Sequence, residues 1–190
     1  MLMINRWGYL NIEQAALLTQ KSFISAKRIL ERNLKKVFIK STNIQEKTFI
    51  IFLIKVIPFL GREHKKAIKI NCYELPHQDM LIKWLCSKID IEHYQTEREL
   101  KMENWKLKAY SNLLIYKSDN SKIYVEFDNT RKSPIRIKNK IINYKDWLNN
   151  GNKVHWVSTN KTLSNWTQKI IRELNLFVNK HTYEIWNSKE

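Results

Sequence analysis

The sequence predicts an α+β protein in two parts: an N-terminal helical pair closed by a β-hairpin, then an α/β domain with a mixed sheet. Three observations predict it. Two amphipathic stretches of helical period lie between Asn11 and Leu34, and two runs rich in Val, Ile, Phe and Thr follow them. Two more strand-like runs flank the polar turn Lys117-Ser118-Asp119-Asn120-Ser121. From Ser133 onward helix and strand patterns alternate, the order that builds a sheet with helices packed on it.

In the first part, Asn11 is fit to cap a helix, with Gln14 three residues on to complete a capping box. Ala15, Ala16, Leu17 and Leu18 give that helix an apolar side, and Thr19-Gln20-Lys21 makes a short turn. Ser22 then caps a second helix in which Phe23, Ala26, Ile29, Leu30 and Leu34 repeat at three and four. Val37 to Ser41 and Thr48 to Ile54 are expected as strands joined by the polar turn Thr42 to Lys47. Helix, turn, helix, hairpin is the order of a winged helix-turn-helix. Its second helix fits the ~12 Å major groove, with its first turn against base edges. Lys21, Ser22, Ser25, Lys27, Arg28, Arg32 and Lys35 lie on or beside that helix, and Lys40 and Lys47 on the hairpin. These are candidate DNA-binding residues, because cationic side chains there neutralise phosphates and release counterions. An amphipathic helix pair with a solvated Lys-rich face has the same pattern.

Charge narrows the partner. The chain has 190 residues and a formal net charge of +16, with a pI near 9.8. That surplus, densest in the first 75 residues, favours a polyanion: nucleic acid first, an acidic membrane surface second. Cys72 and Cys86 are too few for a disulfide framework or a four-cysteine zinc site. Three glycines leave no Gly-rich phosphate loop, which argues against nucleoside-triphosphate hydrolysis. His64, His77, His93, His155 and His181 show no metal-ligand spacing. The opening Met1 to Arg6 lacks a signal-peptide core, and the most apolar run, Thr48 to Leu60, is broken by Lys55 and Pro58. The expectation is a cytoplasmic bacterial protein with no membrane partner.

The second part is expected to begin after a basic stretch opened by Gly61, giving domains at 1–70 and 71–190. Pro76 to about Lys88 is helical in pattern, with Met80, Leu81, Trp84 and Leu85 on one face. Ile89 to Gln95, Asn112 to Tyr116 and Lys122 to Asp128 read as strands. Ser133 caps a helix with Pro134 at its first position; its stripe is Ile137, Ile141, Tyr144 and Leu148, and Gly151 ends it. Val154 to Ser158 reads as a strand and Thr162 to Leu176 as the last helix. Trp105 and Trp147 could stack on bases, but packing suits them better.

The chemistry concentrates in one strand. Glu126 and Asp128 are two apart, so they share a face. Like charges that close need a cation or a basic partner, and hard oxygen ligands of this kind suit Mg²⁺ or Mn²⁺. Arg131, Lys132, Arg136, Lys138 and Lys140 follow within fifteen residues. A carboxylate pair beside a basic run meets the needs of phosphodiester cleavage, in which a metal activates water and a lysine steadies the transition state. From spacing alone, a solvent-facing strand whose carboxylates pair with nearby Lys and Arg fits better.

The segments Thr96-Glu97-Arg98-Glu99-Leu100, Tyr110 to Tyr116 and Val125 to Ser133 resemble the replication-relaxation family, which includes MobC-type plasmid mobilization proteins. Leu75-Pro76-His77-Gln78-Asp79 resembles its His-bearing helix start, and the N-terminal winged helix matches as well. The resemblance implies a restriction-endonuclease-like second domain, related to the PD-(D/E)XK nucleases, in a family that includes relaxases nicking DNA at a transfer origin. By position it implies a catalytic set of Glu97, Asn112, Glu126, Asp128 and Lys132, with Glu97, Glu126 and Asp128 holding Mg²⁺ or Mn²⁺. Arg131, Arg136 and Lys138 would extend the DNA-binding surface.

Two departures bear on activity. Asn112 stands where the family has an Asp, after Ser111 in place of Pro, and an amide brings no negative charge. Asp128 stands where the nuclease signature has Lys, so Lys132 would have to reach back. The leading expectation is a DNA-binding protein of plasmid mobilization or replication whose nuclease-like domain is weak or inactive. One alternative is an active metal-dependent nickase at a transfer origin. Another is a transcriptional or copy-number regulator whose second domain serves dimerisation. The implied partners are duplex DNA, other mobilization proteins and a second copy of the chain.

Overall fold

The computed structural model describes residues 2–35, 39–44, 47–52, 71–88, 90, 91, 93–103 and 109–187, with backbone alone at 2, 5, 35, 39–44 and 47–52. Val37, Ile54, Gly61 and Trp105 lie outside the described residues. The chain divides into two compact units, Met1–Ser87 and Lys88–Glu190. The helix expected to open the second domain therefore belongs to the first unit, and the division falls after Ser87 rather than at 70/71.

The first unit runs α1 (Leu2–Trp7), β1 (Tyr9–Asn11), α2 (Ile12–Thr19), α3 (Phe23–Lys35), β2 (Ile39–Ile44), β3 (Lys47–Phe52) and α4 (Leu75–Cys86). The capping box forms as expected: Gln14 N donates to Asn11 Oδ1 at 2.8 Å and Asn11 N to Gln14 Oε1 at 3.0 Å. Gln20 closes α2 in the left-handed region, at φ 53°. Ser22 Oγ accepts from Ser25 N at 3.2 Å and so starts α3. The hairpin forms, with β2 pairing β3 from Ile39↔Phe52 to Ile44↔Lys47, so the first strand runs on past Ser41 into the expected turn. Two elements escaped the sequence pattern. The short α1 turns at Gly8 (φ 88°) into β1, which adds a third strand in the order β1-β3-β2. A three-residue strand is too short to show a period of two.

α4 is tied to this unit by side chains. Gln78 Nε2 donates to the Tyr9 carbonyl at 2.8 Å, and Gln14 Nε2 donates to Asp79 Oδ1 at 3.1 Å. On α3 the apolar stripe is only half used: Ala26 and Leu30 are buried, while Phe23 and Ile29 are 48% and 40% exposed.

The second unit runs β4 (His93–Thr96), α5 (Glu97–Glu103), β5 (Leu113–Tyr116), β6 (Lys122–Asp128), α6 (Pro134–Asn143), α7 (Lys145–Asn149), β7 (Lys153–Ser158), α8 (Lys161–Leu174) and β8 (His181–Ile185). Its five strands form one mixed sheet in chain order; β4, β5 and β6 are antiparallel neighbours, and β7 and β8 run parallel to β6. The unit is α+β with a mixed sheet. Tyr124, Val154 and Trp156 on one sheet face join Ile137, Ile141, Tyr144 and Leu148 and the α8 residues Ile170 and Ile171 in a single core. Parallel neighbours need a crossover connection, which α6 and α7 supply between β6 and β7 and α8 between β7 and β8.

The helix expected from Ser133 to Gly151 is instead two. Tyr144 sits at φ −89°, ψ 0° between α6 and α7, which takes it out of the helical region. Its N–H is shared between the Lys140 and Ile141 carbonyls, and Leu148 N restarts the ladder on the Tyr144 carbonyl at 2.9 Å. The break lets Tyr144 and Leu148 both stay fully buried. β8 is also absent from the sequence pattern: Tyr183 and Ile185 do alternate with Thr182 and Glu184, but two apolar residues are too short a run to mark a strand. Among the described residues, no helix is long and apolar enough to cross a membrane.

α8 begins at Asn160, whose side chain accepts from Leu163 N at 3.0 Å. Asn160→Ala is expected to lower the stability of this unit by about 1 kcal/mol, the usual cost of a lost N-cap. A urea midpoint that falls at unchanged slope checks this.

Candidate functional site

The site lies at the carboxyl ends of β6 and β7, where the sheet changes from antiparallel to parallel pairing. Open α/β sheets bind ligands at such ends. Glu126 and Asp128 occupy the last turns of β6 and point to the helix-covered face, opposite Trp156 and Ser158 of β7. Burial there is nearly complete, at 0% exposure for Glu126 and 2% for Asp128. A carboxylate stripped of water must be paired and hydrogen-bonded.

Both carboxylates have partners. Glu126 Oε1 accepts from the Tyr144 hydroxyl and Oε2 from Lys140 Nζ. Lys132 Nζ pairs with Asp128 and stands 4.0 Å from Glu126 Oε2. Two carboxylates thus face two ammonium groups and one hydroxyl, so the formal charges of these four ionised groups cancel. Burial, and then the neighbouring Glu126 carboxylate, push the Tyr144 hydroxyl well above its ordinary pKa, so it remains a proton donor. Its ring is held by Trp147, with centroids 4.9 Å apart, and Trp147 in turn stacks on Tyr124 at 4.2 Å. Trp147 therefore packs and is not offered to a base.

The loop after β6 brings Lys132 back to its strand. The Arg131 guanidinium lies over the Trp166 ring, 3.6 Å from the centroid, and Trp166 Nε1 donates to the Lys132 carbonyl at 3.0 Å. α8 thereby pins the loop through a cation–π contact and a backbone bond. Ser133 Oγ accepts from Arg136 N at 3.3 Å and turns the chain into α6, which presents Lys140.

The expected set converges only in part. Glu126, Asp128 and Lys132 meet. Asn112 adjoins them through its amide oxygen, which accepts from Phe127 N at 2.8 Å, and its carbonyl accepts from Glu97 N at 3.0 Å. The Glu97 side chain, 40% exposed, turns to Lys101 Nζ at 2.5 Å. Lys140 and Tyr144 join Glu126, although in the sequence Lys140 is one of a basic run and Tyr144 one of an apolar stripe. Their i, i+4 spacing beside the Ile137–Ile141 stripe was the signal, since it places a cation and a hydroxyl on the sheet-facing side of one helix.

A divalent cation needs several oxygens turned on one point. Here Glu126 takes Tyr144 and Lys140, Asp128 takes Lys132, Glu97 takes Lys101, and Asn112 takes a backbone amide. Among the described residues, no group of three or more His, Cys, Asp or Glu is placed to hold a metal. This donor arrangement fits the two lysines rather than Mg²⁺ or Mn²⁺.

The other expected DNA contacts divide by unit. Lys21, Ser22, Ser25, Lys27, Arg28 and Arg32 are exposed on or beside α3 in the first unit. In the second, Arg131, Arg136 and Lys138 are exposed around the start of α6. The side chains of Lys35, Lys40 and Lys47 lie outside the described residues.

No protein-family model matches the chain, and no curated protein matches it significantly. Among solved structures it is similar to the crystal structure of a repair endonuclease from Pyrococcus abyssi, at 9% identity and a TM-score of 0.33. The match covers 79% of this chain and 66% of that one, just under two thirds of its length. A likeness of that strength bears on neither fold nor activity.

Proposed function

We propose that this is a DNA-binding protein of plasmid mobilization or replication, with a winged helix in the first unit and a nuclease-like site in the second that holds its acids on lysines. The observation that carries the reading is the buried cluster of Glu126, Asp128, Lys132 and Lys140 at the ends of two parallel strands, in a chain of net charge +16. Acids and lysines at one strand end are the groups that phosphodiester chemistry recruits. The strand order β1-β3-β2 beside α2 and α3 supports the winged helix. The segments resembling the replication-relaxation family support the biological setting. With both carboxylates paired to lysines, the cluster has no acid left over for a metal, and the exposed Arg131, Arg136 and Lys138 near it suit holding a backbone. Duplex DNA is the partner, and other mobilization proteins or a second copy would complete the assembly.

Binding is tested by fluorescence anisotropy of a labelled duplex across a salt series. The four cations Lys21, Lys27, Arg28 and Arg32 predict a log–log slope of about −3.6, at roughly 0.9 per phosphate contacted. Affinity independent of salt would overturn the reading.

A second reading, a metal-dependent nickase, is favoured by the convergence of Glu126, Asp128 and Lys132. It requires the two carboxylates to give up their lysines when metal and DNA arrive.

A further inference from the structure

We propose that α3 reads thymine methyl groups in the major groove of B-form DNA, with Ile24 as the contact residue. This rests on the DNA-binding reading above and adds a specificity to it.

α3 turns Ala26 and Leu30 inward, at 4% and 8% exposure. The opposite side carries Ile24, Ser25, Lys27, Arg28, Glu31 and Arg32, all exposed, so four basic or polar groups and one acid share it with Ile24. Ile24, at 61%, is the most exposed large apolar side chain of the helix, and it sits in its first turn. A single exposed apolar residue is ordinary on a protein surface, so its exposure alone says nothing. Its setting does. Lys21, Arg28 and Arg32 surround it without an acidic partner among the described residues, and Lys27 faces Glu31 at 4.0 Å. The face is complementary to a polyanion, and its first turn is the part of a recognition helix that meets base edges.

On those edges the thymine 5-methyl is the apolar group, while the remaining groups are hydrogen-bond donors and acceptors. An isoleucine in the first turn matches that methyl and gains nothing from a phosphate. Ser25 adds a polar contact. Its Oγ accepts from the Ser22 hydroxyl at 2.9 Å, which leaves its own proton for an acceptor such as O6 or N7 of a purine. The inference also selects DNA over double-stranded RNA, whose deep, narrow major groove excludes a helix and whose uracil lacks the methyl.

The test uses the full chain and duplexes that it selects from a random-sequence pool. Each selected duplex is made with thymine and again with deoxyuridine at each thymine position in turn. Wild type is expected to lose about fourfold in affinity at one or two positions, the value of one buried methyl-sized group. Ile24→Ala is expected to bind thymine and deoxyuridine duplexes alike, and Ile24→Val to keep the discrimination. Circular dichroism confirms that both variants fold.

Equal binding of the two duplexes by wild type would overturn the inference while leaving DNA binding intact. Discrimination that survives in Ile24→Ala would overturn it as well. So would DNA affinity unchanged in Ile24→Ala with self-association lost, which would make the residue a contact between copies. Selection of no duplex at all would remove the DNA-binding reading itself.

Discussion

Glu126→Ala is expected to destabilise the second unit by about 3 kcal/mol, because it leaves a largely buried ammonium and a buried hydroxyl without their acceptor. Lys140 Nζ and the Tyr144 hydroxyl both rely on this carboxylate, which has no exposure to solvent. For a unit of this size the loss corresponds to roughly 12–24 °C in melting temperature. The double variant Glu126→Leu with Lys140→Met removes both charges at once. It is expected to recover the share of the loss that comes from the stranded ammonium, while the Tyr144 hydroxyl remains without its acceptor. Differential scanning calorimetry of the two variants decides the point. If Glu126→Ala melts within a few degrees of wild type, the carboxylate is not the buried acceptor described here.

Acid is expected to weaken the second unit through His181. This imidazole is 7% exposed at the start of β8, and Trp156 Nε1 donates to its Nδ1 at 3.0 Å. Burial holds its pKa down, from 6.5 to about 4. Protonation would set a second donor against the indole N–H, so the folded state keeps the ring neutral. The unfolded chain binds the proton near pH 6.5 and the folded one only near 4. The contribution is therefore complete above pH 6.5 and is lost as the pH falls toward 4. Its size is about 3 kcal/mol at most, from the gap between the two values. Urea unfolding at pH 7 and pH 4 measures the drop, and imidazole NMR shifts assign it. In His181→Gln the slope between pH 6.5 and 4 is expected to flatten. A His181 resonance titrating near 6.5 in the folded protein would contradict the burial.

The sequence was most legible where local chemistry decides the structure. Asn11 with Gln14, Ser22, and Ser133 before Pro134 each mark a helix start by the bond that the cap makes, and each start is found there. β6 was bounded as Lys122 to Asp128 because its apolar run ends in two acids and begins after a polar turn. Illegible parts depend on contacts distant in sequence. β1 and β8 are short strands stabilised by pairing with β3 and β7, and each is too short for its own pattern to mark it. The break at Tyr144 follows from packing, since nothing in Asn143-Tyr144-Lys145 forbids a continuous helix.

The candidate site shows the same division. Glu126 and Asp128 could be placed on one face by counting residues, and Lys132 was expected to fold back. Lys140 and Tyr144 lie 14 and 18 residues beyond Glu126, and only the crossover of α6 onto the sheet brings them to it. Conversely, Glu97 was assigned by resemblance, and its side chain settles on Lys101 one turn along its own helix.

The central claim is that the acids of the second unit are committed to lysines in a protein that grips DNA. A supercoiled plasmid, incubated with wild type and with Glu126→Gln in Mg²⁺ or Mn²⁺ and then resolved before and after removal of protein, tests it most directly. The account predicts a plasmid retarded by wild type and still supercoiled once the protein is stripped. Open-circular product formed by wild type and absent with Glu126→Gln would contradict it and establish the nickase.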